Sequence, residues 1–171
     1  MMISDTEHIS VIMYNICRSK CPNGIDYSLD RPSLLLFRKH HTENHSFERI
    51  KIDNLHGRTL SSNSIQILTD PTITKICWDK EITTTISNTL LLEAGCDLRC
   101  ASFVDLADLL KEHGYPHHTL GAASKFFTKR QCPKANTKDL SKLRTRFNIL
   151  SKIVSNIMYI EKNNLIDGIL Y

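Results

Sequence analysis

The sequence predicts an α/β domain: a mixed β-sheet flanked by helices, followed by a helical C-terminal part. Three observations predict it. Short β-rich apolar runs fill the first part of the chain, at residues 8–16, 33–37 and 47–52. A buried-strand pattern at 74–77 is then followed by apolar residues at helical spacing. Later, a single apolar stripe runs through Leu143, Phe147, Leu150, Val154 and Ile157, the repeat of a helix with one buried side. Strands first, then strand and helix in alternation, then helices alone, is the order of a sheet covered on its faces.

Taken in order, His8-Ile9-Ser10-Val11-Ile12-Met13-Tyr14-Asn15-Ile16 reads as a buried first strand. Residues 17–32, with Pro22-Asn23-Gly24 and Arg31-Pro32, read as turn. Ser33-Leu34-Leu35-Leu36-Phe37 is the second strand, and the polar, His-rich residues 39–46 are its turn. Residues 47–52 alternate apolar and charged side chains, as a half-exposed third strand does. Residues 60–68 are a short helix, stopped by Asp70-Pro71.

The fourth strand spans residues 74–77, and an amphipathic helix follows it. A second helix is expected over residues 103–113, because Phe103, Leu106, Ala107 and Leu110 fall at i, i+3, i+4 and i+7. Ser102 would precede its first turn, Asp105 would favour the positive end of its dipole, and Gly114 and Pro116 would end it. A third helix opens at Thr119, and the last forty residues are helical up to an apolar tail, Leu165-Ile166-Asp167-Gly168-Ile169-Leu170-Tyr171.

The chain has 171 residues, enough for one substantial core. No repeat, low-complexity segment or linker divides it, so residues 1–171 are expected to form a single domain. With 41% apolar and 23% charged residues, broad disorder is excluded. Residues 1–10 carry acids where a secretory signal would carry bases, and no apolar run is long enough to cross a bilayer. Six cysteines without such a signal fit free thiols in a reducing compartment, cytoplasmic or nuclear. No Gly-rich phosphate loop, nucleophile elbow or dinucleotide fingerprint is present.

The net charge of +4 is unevenly spread. Residues 125–152 hold nine Lys or Arg against one acid, Asp139, whereas residues 1–124 hold 12 basic and 15 acidic side chains. A charge run is often only a solvated helical face. Concentrated on one part of the chain, it also suits a polyanion. Lys129, Arg130, Lys134, Lys138, Arg144 and Arg146 are the candidate phosphate contacts. Trp78, the only tryptophan, is a candidate for base stacking or for burial beneath the neighbouring helix.

Cys96-x3-Cys100-x12-His113-x3-His117 has the spacing of a two-cysteine, two-histidine zinc finger, with Leu110 at the core position. Its context is poor. Val104 stands where such a finger keeps an aromatic, Gly114 and Pro116 interrupt the helix between the histidines, and no hairpin surrounds the cysteines. Cys17, Cys21, Cys77 and Cys132 form no second ligand set. His40-His41 with His45, and His117-His118, read as metal or phosphate ligands or as solvated loop histidines.

Lys75-Ile76, then Phe103-Val104-Asp105-Leu106, then Thr119-Leu120 resemble, in that order, the scaffold of 3′–5′ exonuclease domains of the ribonuclease D and Werner type. The resemblance implies a ribonuclease H-like fold over nearly the whole chain. It also implies where the chemistry would sit. Such exonucleases hold two divalent ions with four carboxylates, and hard cations need anionic oxygen ligands.

The family's Asp-x-Glu on the first strand falls on Met13 and Asn15, and its third carboxylate on Thr83. Its Tyr-x-x-x-Asp falls on Phe147 and Ser151, or in the alternative register on Leu150 and Val154. None of these is an acid. Small shifts of register change nothing, because no Asp or Glu occurs in residues 8–21 or 140–160. Asp79 and Glu81 could supply one ligand, which does not make a two-metal site.

The resemblance therefore implies a degenerate exonuclease domain, not an enzyme of the family type, with no cofactor. Degenerate relatives serve as scaffolds in RNA-processing and small-RNA silencing complexes, so the expected partners are RNA or another protein. The apolar C-terminal tail is the expected docking segment, for a partner or for a second copy. Two other readings stay open: a working metal-dependent 3′–5′ exonuclease with displaced carboxylates, and a zinc-dependent nucleic-acid-binding module.

Overall fold

The computed structural model describes residues 2–20, 27–41, 44 and 46–170, with side chains for all of these but 18–20, 27–29 and 164–170. Cys21, Pro22-Asn23-Gly24 and His45 lie outside the described residues, as do the side chains of the apolar tail. After a 3-10 turn at Ile3–Asp5 come β1 (Ile9–Tyr14), β2 (Arg18–Lys20), β3 (Tyr27–Leu29), β4 (Leu34–His41), β5 (Ser46–Phe47) and β6 (Lys51–Asn54). Then α1 (Ser62–Thr69), β7 (Thr74–Cys77), α2 (Lys80–Glu93), β8 (Phe103–Asp105), α3 (Leu106–Glu112), α4 (Leu120–Thr128) and α5 (Leu140–Leu170) complete the chain.

Strand β1 is the hub of a mixed six-stranded sheet, ordered β5-β4-β1-β7-β8 with β6 also on β4. It pairs antiparallel with β4, from Ile9↔His40 to Tyr14↔Leu35, and parallel with β7, from Ile9↔Thr74 to Val11↔Ile76. β8 continues parallel to β7. All six residues of β1 are buried, as expected of a strand covered on both faces.

Side chains alternate between those faces. Ile9, Val11 and Met13, with Leu36 and Ile76, pack against α3, α4 and α5. Ile12 and Tyr14, with Leu35, Phe37 and Cys77, pack against α1 and α2. The stripe Leu143, Phe147, Leu150, Val154 and Ile157 is wholly buried. At about 2 kcal/mol per buried side chain, it contributes on the order of 10 kcal/mol before entropy is subtracted, so packing decides where α5 lies.

Four sequence expectations change. Phe103 opens a strand rather than a helix. It faces the α2 side of the sheet while Leu106 and Leu110 face the α5 side, so their helical spacing spans two elements. Ser102, at φ 60, gives its carbonyl to the Lys75 N–H at 2.8 Å and aligns β8 on β7. Asp105 then caps α3 with Oδ1, which accepts from the Ala107 N–H at 2.9 Å.

β4 runs on through His41, so the polar turn begins later than expected, and buried His40 packs edge-on against Phe47 with centroids 4.6 Å apart. The third strand is split into β5 and β6. Between them the chain is held to β4 by the Glu48 N–H, which donates to the Lys39 carbonyl, and by the Arg38 guanidinium, which donates to the Glu48 carbonyl. The segment expected as turn contains the antiparallel pair β2 and β3.

The remaining elements match in type: β7 lies at 74–77, α1 stops at Asp70, Thr119 caps α4, and Gly114 at φ 84 follows the end of α3. The C-terminal helix starts only at Leu140, later than expected, because residues 129–139 form an irregular connection. Among the described residues no helix is long and apolar enough to cross a membrane.

Candidate functional site

Because β1 and β7 are parallel, Tyr14 and Cys77 end at the same edge of the sheet. In open α/β sheets ligands bind outside that carboxyl edge. Here the edge opens into a cleft of about 570 Å³. One wall is Met13, Tyr14 and Ile16; a second is Trp78, Asp79, Ile82 and Thr83; Leu120, Arg146, Leu150 and residues 134–136 close it.

Two of the five positions matched to the exonuclease carboxylates and tyrosine, Met13 and Thr83, line this cleft. Met13 is 8% exposed and Thr83 3%. Asn15 does not line it. Its Oδ1 accepts from the N–H groups of Ser33 (3.0 Å) and Leu34 (2.9 Å), while Nδ2 donates to Ser33 Oγ at 2.8 Å. An amide both accepts and donates there, which a carboxylate does not. Phe147 is in the core, and Ser151 Oγ donates to the Phe147 carbonyl at 2.9 Å. From α5, the residues facing the cleft are Arg146 and Leu150, one turn apart, a pairing that neither register from the sequence contains.

Asp79 is the one carboxylate among the described lining residues. It sits at φ 64 and caps α2, its Oδ1 accepting from the Ile82 N–H at 3.3 Å. Asp105, at the end of β8, is also engaged: Oδ2 accepts from the Lys80 N–H at 3.0 Å, and Oδ1 caps α3. Cys77 is buried beside these acids, and burial pushes its thiol up to about 12, so it is no thiolate at neutral pH.

Among the described lining residues the cations are Lys134 and Arg146. Residues 132–136 are tied down at both ends. The Ile16 N–H donates to the Ala135 carbonyl at 3.0 Å, and Arg146 Nη1 donates to the Pro133 carbonyl at 2.8 Å and approaches Cys132 Sγ at 3.5 Å. Burial lowers the Arg146 pKa and raises that of Cys132.

Of the other candidate phosphate contacts, Lys129, Arg130, Lys134 and Lys138 lie exposed between α4 and α5, and Arg144 is exposed on α5. Arg146 is half-buried and already bonded, so it positions the basic segment as well as adding charge. Asp139, the acid within the basic run, caps α5: Oδ1 accepts from the Ser141 N–H at 2.9 Å.

The four zinc-spaced residues are not brought together. Cys96 and Cys100 pack on the α2 side of the sheet. His113 Nε2 is 3.1 Å from Glu161 Oε1, and the His117 ring lies against Phe126 and Phe127. Among the described residues, no three His, Cys, Asp or Glu side chains gather as metal ligands.

One buried ionisable residue, Glu161, escaped the sequence reading, and a second, Lys75, was read only as part of the scaffold. Glu161, 1% exposed, accepts from the N–H groups of Ile3 (3.0 Å) and Ser4 (2.8 Å) and contacts His113. It stands four residues past Ile157, the next step of the α5 stripe, which was the available signal. Lys75 is fully buried in β7; its Nζ donates to the Asp70 carbonyl at 2.8 Å and lies 5.5 Å from the Phe103 ring centroid.

No protein-family model and no curated protein sequence matches the chain. Solved structures are similar in fold. The Aedes aegypti Nibbler EXO domain superposes with a TM-score of 0.56 at 9% identity, over 98% of this chain and 82% of that one. Brucella melitensis NrnC bound to pGG gives 0.57 at 11% identity, over 94% and 76%. Escherichia coli RNase D, an exoribonuclease involved in structured RNA processing, gives 0.56 at 15% identity, over 92% of this chain and 40% of that one. The architecture shared with them is the 3′–5′ exonuclease-like ribonuclease H fold.

Proposed function

We propose that this chain uses the 3′–5′ exonuclease-like ribonuclease H fold as an RNA-binding adaptor, without the two-metal nuclease chemistry of the family it resembles. One observation carries this reading. Among the described residues, the cleft at the carboxyl edge of the sheet has one lining carboxylate, Asp79, engaged in capping, and two cations, Lys134 and Arg146. Two divalent ions about 4 Å apart need several anionic oxygens between them. Met13, Thr83 and Leu150 offer none. A cleft with that charge balance attracts phosphate and repels metal ions.

The basic segment between α4 and α5 supplies the rest of the attraction. Contacts of this kind neutralise phosphates and release counterions, so affinity falls steeply with salt and depends little on sequence. The test is binding of a labelled single-stranded RNA at several salt concentrations. Wild type binds at low salt with a steep slope, and Lys134→Glu with Arg144→Glu weakens binding and flattens the slope. Binding unchanged by both reversals, or absent in wild type at low salt, overturns the RNA reading in favour of protein docking.

A further inference from the structure

We infer that the connection between α3 and α4, together with the C-terminal half of α4, forms a base-stacking platform for single-stranded nucleic acid. This rests on the RNA-binding reading and adds to it where the bases lie. Four rings meet there. The Phe126 centroid is 4.9 Å from Phe127, 5.7 Å from Tyr115 and 5.3 Å from His117. Tyr115 and Phe127 also pack against the core, which fixes the base of the cluster. Phe126, 52% exposed, is the ring it presents to solvent.

A ring held by other rings has little freedom left to lose when a planar ligand stacks on it. The surrounding charge selects the ligand. Lys125, Lys129 and Arg130 are exposed around the same helix, and residues 113–138 contain no Asp or Glu. An apolar protein surface would gain nothing from a rim of one sign. A polyanion that also carries planar apolar faces is matched by both features, and single-stranded nucleic acid is that ligand.

The platform is separate from the cleft, which none of the four rings lines. The two are connected along the chain. α4 begins at the cleft wall with Leu120, and the cationic segment after α4 returns to that wall at Lys134. A bound strand is thus offered stacking on α4 and phosphate contacts from there toward the cleft.

The test is fluorescence anisotropy with a labelled RNA decamer and a DNA decamer, using wild type, Phe126→Ala, His117→Ala and the double change Lys129→Glu with Arg130→Glu. Phe126→Ala is expected to weaken binding about 5-fold or more with the salt slope kept, and the double reversal to flatten that slope. Binding of RNA alone or of both strands supports the platform, the former adding a contact to the 2′-hydroxyl. Photocrosslinking of thiouridine RNA to wild type gives a second readout that needs no variant, with adducts expected on Phe126 or His117.

Wild-type affinity in both alanine variants, or adducts confined to residues outside 115–130, overturns the platform while leaving RNA binding intact. A wild type that binds neither decamer at low salt overturns the RNA reading itself. A protein ligand captured through Phe126 in that case assigns the surface to docking and also rejects the platform.

Discussion

Arg146 donates from Nη1 to the Pro133 carbonyl at 2.8 Å, so the segment that brings Lys134 to the cleft is pinned to the helix behind it. Hydrogen bonds from a charged group contribute about 1.5 to 3 kcal/mol. Arg146→Ala is therefore expected to lower stability by about 2 kcal/mol in urea unfolding and to weaken RNA binding. Arg144→Ala, at an exposed site, is expected to weaken binding with stability changed by less than about 0.5 kcal/mol. Equal stability losses in the two variants would contradict this division of roles.

Glu161 joins the N-terminal turn to α5 and to the end of α3. Glu161→Ala leaves the buried Ile3 N–H without its acceptor, at an expected cost of about 3 kcal/mol. Glu161→Gln keeps an acceptor oxygen and should recover part of the loss. Hydrogen exchange at Ile3 and Ser4 is the local readout, rising in Glu161→Ala well before global unfolding. Exchange there equal to wild type would contradict the account.

Lys75 gives stability a pH dependence of known sign. Burial lowers its pKa from 10.5 to about 8, against a smaller upward pull from Asp70. Between these values the unfolded state holds the proton and the folded state releases it, so the Lys75 contribution rises with pH from about 8 to 10.5 and is flat below. Above pH 9 the buried Cys77 thiol, raised to about 12, acts in the opposite sense. The measurement is therefore the difference between wild type and Lys75→Met in urea unfolding at pH 7, 8.5 and 10. Wild type is expected to gain on the variant as pH rises. A constant difference would contradict the buried lysine.

Cys96 and Cys100 lie on one face of the sheet, and His113 pairs with Glu161 on the other side of the molecule. Chelation with EDTA or addition of one equivalent of zinc is accordingly expected to leave the melting temperature within about 2 °C. A chelator-induced drop, reversed by zinc, would revive the zinc-dependent module.

The parts of the fold that could be read from the sequence are those whose burial has a single period. β1 and β7 are short β-rich runs buried throughout, and the α5 stripe keeps one register for four turns. β8 could not be read this way. Phe103 and Leu106 are spaced like neighbours on a helix although they face opposite sides of the sheet, and only pairing with β7 separates them. The end of β4 was hidden because His40 and His41 look like turn residues, while burial against Phe47 keeps His40 in the strand.

At the site, the lack of acids in β1 and in residues 140–160 of α5 was legible because it is a property of composition that survives a slip of register. Which α5 residues face the cleft was not, since helix phase is set by packing: Phe147 turns inward, and Arg146 and Leu150 turn to the cleft. The second role of Arg146 depends on the path of residues 132–136, which has no local sequence signature.

The central claim is that the cleft lacks the anionic ligands for two-metal hydrolysis. Its most direct test is incubation of the purified protein with 5′-labelled single-stranded RNA and magnesium or manganese. The account predicts full-length RNA at every time point, retained by the protein in low salt. Stepwise shortening from the 3′ end that needs the metal, follows the protein through successive columns and disappears in Asp79→Asn would contradict it.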